Sequence, residues 1–166
     1  MRESKSVPTQ RCIYPRQRFA DSGGNLERDF IQHTLDTQSD VLAFGRAERP
    51  HKMEILYRDA DGIARSYGVN FLVKTAEKMF QVETKADRDL ELAQVALKTR
   101  AANTWCESAS NTKPPNGISQ PQQWKYLIIP ESLYRQHEQA TFSTLAEFAR
   151  PISDSLIAKA EGALVF

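Results

Sequence analysis

Seven residues late in the chain, WKYLIIP at 124–130, form a nearly unbroken apolar run with isoleucines at its centre. Such a run predicts a strand that hides side chains on both faces, and each face then needs a covering layer. That requirement points to an α/β domain with helices flanking the sheet. The 166 residues are enough to bury such a core in one domain. A content of 40% hydrophobic and 26% charged residues describes a globular chain rather than a disordered one.

Several function classes are set aside by what is missing. No run of about 18 apolar residues occurs, so no membrane-spanning helix is expected. The start, MRESKSVPTQRCIYPRQRF, has charge without the apolar centre of a secretory signal. Cys12 and Cys106 are too few for a zinc cluster, and His33, His51 and His137 are scattered. A reducing cytoplasm is the expected compartment. With a net charge of +1, a nucleic-acid partner would have to be held by a local basic patch.

Residues 1–24, rich in Pro, Gln, Ser and Arg, read as a linker leading into a domain at 25–166, in the manner of a piece excised from a longer polypeptide. A helix is predicted over Leu26–Thr37, with Asn25 as N-cap and Leu26, Phe30, Ile31 and Leu35 on its apolar stripe. SDVLAFGRAE reads as a turn or short helix ended by Gly45. Three strands follow: KMEILYRD, ARSYGVNFLVKT after an ADG turn, and MFQVETKA. A long helix is predicted over Leu90–Ser108, then a loop in NTKPPNGISQPQ, the apolar strand, and helical pieces interrupted at Pro151. The order is α-β-β-β-α-β plus a tail, predicting a mixed central sheet.

Glu83 and Lys85 are charges inside a strand, a position that costs free energy unless something pairs or uses them. If the hairpin turn is centred between Ala76 and Glu77, Asn70 stands directly across from Glu83, and Lys85 points to the same face. An acid, an amide and a lysine then converge at one end of the sheet. Phosphodiester cleavage uses such a set: carboxylates hold a cation such as Mg²⁺, and a lysine stabilises charge on the phosphate. Glu27, on the first helix, is a further candidate acid.

An acid on one strand followed by E-x-K on the next resembles the PD-(D/E)XK nuclease superfamily. The blocks LERDFIQHTLDTQSDVLAFGR, YRDADGIARSYGVNFLVKT, FQVETKADRD, ALKTRAANTWCES and QWKYLIIPES resemble, in order, the C-terminal endonuclease domain of type III restriction enzyme cutting subunits. The resemblance spans about Leu26 to Ser132. It implies that Glu83 and Lys85 are the E-x-K pair, that Asn70 and Glu83 occupy the metal positions, and that Glu27 is the helix acid. It places Lys98 and Arg100 at the basic positions of the following helix; Lys74 would join Lys85 and Lys98 in a basic strip along double-stranded DNA. It also implies a Mg²⁺ cofactor, an ATP-using helicase-like region in the same polypeptide, and a methyltransferase subunit as partner.

Val69-Asn70 stands where that family has Pro-Asp, and Ala86 where glycine is usual. An amide keeps the shape of aspartate without its charge. Asn70 therefore fits an engineered inactivation, a natural loss leaving a DNA-binding or docking module, or transfer of the acid's role to Glu54 or Asp61. An RNA-directed nuclease or a non-restriction defence protein is a further reading. Without the family blocks, Glu83 and Lys85 read as a solvent-facing pair and Asn70 as an amide satisfying a strand bend. Glu27 then reads as a first-turn charge, Lys98 and Arg100 as solvated helix surface, and Trp105, Cys106 and Trp124 as packing.

Overall fold

The structure is a computed structural model that describes residues 5–19, 25–47, 53–113, 116 and 122–162. Its centre is the pair of strands β7 (Lys78–Lys85) and β8 (Gln123–Pro130), which run parallel from Lys78 opposite Gln123 to Lys85 opposite Pro130. Alternate residues of β8 feed opposite layers: Leu127 and Ile129 join one apolar cluster, Tyr126 and Ile128 the other. The doubly buried strand is present as expected. β6 (Phe71–Lys74) pairs antiparallel with β7, and β3 (Ala43–Arg46) antiparallel with β6, giving a mixed four-stranded sheet in the order β3-β6-β7-β8.

One layer is built from α1 (Leu26–Asp29), its π-helical continuation Phe30–Leu35, α3 (Glu131–Gln136) and the first half of α4 (Phe142–Gly162). Phe30 is fully buried there and meets the rings of Phe71 and Tyr134 edge-on, each at 5.6 Å. The other layer is α2 (Ala93–Asn111) with Ile152, Leu156 and Ala160 from the second half of α4. Both open edges of the sheet are covered. On β8, Trp124 N–H donates to Ser110 Oγ of α2 and Ile128 N–H to Ser153 Oγ of α4, at 2.8 and 3.1 Å.

Several elements differ from their sequence-based expectations. SDVLAFGRAE does not form a helix: Ala43–Arg46 is the edge strand β3, because β6 on one side and residues 11–13 on the other satisfy its backbone. Gly45 sits within it, where a Cβ would come within 3.2 Å of the Ile13 side chain. The expected strand ARSYGVNFLVKT is two. β5 (Ala64–Gly68) pairs with β4 (Glu54–Arg58) in a separate hairpin, whereas β6 belongs to the central sheet. The break falls at Val69-Asn70. Gly62 in the β4–β5 turn has φ +78°, a conformation glycine adopts without the Cβ clash.

The first helix starts at Leu26 as expected, but Asn25 caps it through its backbone carbonyl only, accepting from Asp29 N–H. The helix turns π from Phe30, which lets Phe30, Ile31, Thr34 and Leu35 all face inward. The long helix begins at Ala93, not Leu90, because Asp87–Asp89 forms a 3₁₀ turn. α4 runs through Pro151 without interruption. The missing N–H and ring clash of an interior proline are offset there by buried residues on both sides, from Phe142 to Ala149 and from Ser153 to Ala160.

Within the segment expected to be a linker, β1 (Ser6–Pro8) and β2 (Arg16–Arg18) form an antiparallel hairpin, and Val7 enters the core. Buried Gln17 ties it to the sheet by accepting Arg46 N–H at 3.2 Å. Three-residue strands with little apolar periodicity leave no sequence signal, so docking alone reveals them. Residues 1–4 and 20–24, and most of the expected NTKPPNGISQPQ loop, lie outside the described residues.

Two measurements test this architecture. Phe30→Ala removes a fully buried ring and should cost about 3–5 kcal/mol, read as a lowered urea midpoint. Asp40 accepts the first N–H groups of α4, Phe142 at 3.2 Å and Ser143 at 2.7 Å. Burial by itself would raise its carboxyl pKa, but the Ser143 and Phe142 hydrogen bonds outweigh it and hold the pKa below the ordinary value. A depressed folded pKa means stability present above about pH 4 that is lost as pH falls through the folded value. Asp40→Asn should therefore be less stable at pH 7 and show a flatter loss of stability below pH 4.

Candidate active site

β6 and β7 join through a tight turn closed by Thr75 N–H donating to Lys78 O, and Phe71 stands opposite Val82. This is the register anticipated from the sequence. The ladder ends at that pair, with Asn70 in the bend just before β6 and Glu83 next after Val82 on β7. Lys85, two residues on, shares that side of β7, and its Nζ lies 3.3 Å from Glu83 Oε1. Both side chains are largely but not wholly covered, at 17% exposure for Glu83 and 25% for Lys85.

Glu27 reaches the same place from α1. Its Oε2 is 2.7 Å from Arg46 Nη1, and the Arg46 guanidinium also rests 5.8 Å from the centre of the Phe71 ring. A cavity of about 370 Å³ opens at this end of the sheet, bordered by Glu27, Asn70, Glu83 and Lys85 together with Arg46 and Arg88. The four residues singled out on E-x-K grounds thus share one cavity, although they come from three separate segments. Asp89 and Glu131 stand on its rim.

The second oxygen of Glu83 is also engaged. Tyr126, from β8, donates its phenol to Glu83 Oε2 at 3.1 Å. Burial, and then the negative charge of Glu83, push the Tyr126 phenol well above the ordinary tyrosine range. The same two causes raise Tyr67. The acid is therefore gripped between an ammonium and a phenol in a partly dehydrated pocket, where both bonds are stronger than on an open surface.

The expected Mg²⁺ is not matched by the donors present. Among the described residues, no three His, Cys, Asp or Glu side chains come together to hold a metal ion. The sheet supplies one carboxylate, with Lys85 on one oxygen and Tyr126 on the other, beside an uncharged amide. Glu27 is paired with Arg46. A hard divalent cation is held through anionic oxygens, and this set falls short of that. Neither proposed substitute acid repairs it. Glu54 lies exposed at the start of β4 opposite Gly68, and Asp61 is exposed in the β4–β5 turn.

The three basic residues expected on nucleic acid are not gathered here. Lys74 ends β6 four residues beyond Asn70, about 13 Å along the strand, in an apolar groove with Ile13, Met53 and Met79. Lys98 lies against two tyrosines, its Nζ 5.7 Å from the Tyr57 ring centre and 5.4 Å from that of Tyr67, while Tyr67 donates its hydroxyl to the Lys98 carbonyl. It clamps the β4–β5 hairpin onto α2. Arg100 faces the groove between that hairpin and α2, with Leu56 and Leu97. Lys74 and Lys85 share one face of the sheet but stand at opposite ends of it, and Lys98 is carried on α2 against the β4–β5 hairpin.

Arg46, Arg88 and Tyr126 escaped the sequence reading. Arg46 was invisible because its strand was read as a turn or helix. Tyr126 carried a signal: a polar tip in an apolar strand, which parallel register sets opposite Gln81, two residues before Glu83. No protein-family model, curated protein or solved structure matches this chain. No helix among the described residues is long and apolar enough to cross a membrane.

The clamp on the hairpin is open to direct test. Lys98→Ala should lower stability by about 1 kcal/mol, the scale of a half-exposed cation over aromatic rings, read as a reduced urea midpoint with faster amide exchange in β4 and β5.

Proposed function

We propose that this chain is a nuclease-type domain whose phosphodiester site is disarmed at Asn70, so that it engages double-stranded DNA at this cavity without cutting it. The single observation that carries the reading is the meeting of Asn70, Glu83, Lys85 and Glu27 at one end of the sheet. The order of α1, β3, β6, β7, α2 and β8, with the β4–β5 hairpin inserted, also agrees with the α-β-β-β-α-β arrangement of the PD-(D/E)XK superfamily.

Lys85, Arg46 and Arg88 border the cavity, each beside one of its carboxylates, Glu83, Glu27 and Asp89. A phosphate backbone would engage these cations in competition with those acids, independently of base sequence. Lys85 stands where an ammonium would meet charge on a phosphate oxygen. Glu83 is a held carboxylate beside it. What the cavity lacks is the second anionic oxygen facing Glu83. Hydrolysis would return with that charge, and a type III restriction-like endonuclease using Mg²⁺ is the activity the restored site would have. A helicase-like ATPase region and a methyltransferase subunit are the partners such an enzyme works with, in the cytoplasm.

Nicking of supercoiled plasmid in Mg²⁺ tests the reading. The unchanged chain should retard DNA in a gel without nicking it. Asn70→Asp should make Mg²⁺-dependent nicking measurable where the unchanged chain shows none, and Asn70→Asp combined with Glu83→Ala should abolish the gain. DNA retardation should weaken in Lys85→Ala and steepen in its salt dependence when Lys85 is intact. If Asn70→Asp neither nicks nor binds Mg²⁺ while remaining folded, the nuclease reading is wrong. Absence of DNA retardation by the unchanged chain would remove the binding reading as well.

A further inference from the structure

We propose that Tyr126 is a positioning residue for Glu83, fixing the rotation of its carboxylate in the cavity. Glutamate has three side-chain torsions, and its terminal one is broad when unrestrained. Lys85 holds Oε1 at 3.3 Å and Tyr126 holds Oε2 at 3.1 Å, so each oxygen has its own donor and the carboxylate plane is set. Lys85 is itself a quarter-exposed side chain. Tyr126 is only 6% exposed and is carried on the strand buried on both faces, which makes it the rigid half of the grip.

The residue type supports this assignment. Phenylalanine would fill the same volume beneath α2, and a buried hydroxyl is costly unless it finds a partner. The partner Tyr126 finds is Glu83. Its neighbour in register is Gln81, which is fully buried with neither amide atom hydrogen-bonded among the described residues. β7 therefore places Gln81 and Glu83 in succession on the face that otherwise meets Leu72, Val95 and Ile128. A polar floor under Glu83 is maintained in a layer whose packing needs only apolar groups.

The inference rests on the nuclease-type reading for its consequence but not for the bond itself, and two measurements separate them. In the unchanged chain, tyrosine labelled at Cζ reports the hydrogen bonding of each phenol by NMR, and Tyr126→Phe identifies the Tyr126 signal. Glu83→Gln should shift that signal more than those of the other four tyrosines; an unmoved signal overturns the proposal. In the Asn70→Asp chain, adding Tyr126→Phe should raise the Mg²⁺ concentration for half-maximal nicking on the order of 10-fold. Excess Mg²⁺ should restore the rate, and DNA retardation should stay the same. An unchanged Mg²⁺ requirement overturns the positioning role. If Asn70→Asp shows neither nicking nor Mg²⁺ binding, the nuclease reading fails alone, and the NMR shift still decides whether Tyr126 orients Glu83.

Discussion

The parallel pairing of β7 with β8 is covered on both faces from Tyr126 onward, so the buried side chains of β8 belong to one layer or the other and its register cannot slip. A one-residue shift would turn Leu127 and Ile129 toward α2 and bring Tyr126 into the opposite cluster. Because β6 is hydrogen-bonded to β7 in turn, the same constraint fixes where the bend carrying Asn70 enters the sheet. The site is thus a by-product of core packing: its precision is inherited from apolar contacts that do not touch it. The serine hydroxyls that seal the β8 edge keep this pair from being an open strand.

Charge inside such a framework must be held or removed. Glu83 is held by Lys85 and Tyr126, and Glu27 by Arg46. These pairs, with Arg88 beside Asp89 and Arg135 beside Glu131, explain how four acids can border one small cavity. Asn70 contributes an uncharged amide to the cavity, where an aspartate would add another anionic charge. Two ionised carboxylates in that position repel each other unless a cation lies between them, so Asn70 lets the site close on its own cations.

Where local pattern and fold agreed, the sequence was legible. Period-two alternation and a compact turn identified the β6–β7 hairpin and its register; the apolar run identified β8; helical spacing placed Leu26, Phe30, Ile31 and Leu35. Where an element is short or owes its form to a neighbour, the pattern was silent. β3 is four residues that become a strand because β6 and residues 11–13 bond to it, and β1–β2 lacks apolar alternation. One continuous β-like stretch became two strands because Val69-Asn70 carries the chain from the hairpin into the sheet. The surroundings of the basic residues were hidden for a related reason. A lysine's charge says nothing of direction, and Lys98 finds two tyrosine faces before it finds solvent.

What the sequence determined by itself is the set of groups at the end of the β6–β7 hairpin, since a two-residue period and a fixed turn are enough to decide which side chains oppose one another. Only the tertiary structure decided what surrounds them. Arg46 on Glu27, Tyr126 on Glu83, and the seating of Lys98 against Tyr57 and Tyr67 all depend on contacts between segments far apart in the chain. Such contacts follow from how helices and strands pack in three dimensions, which local periodicity does not encode.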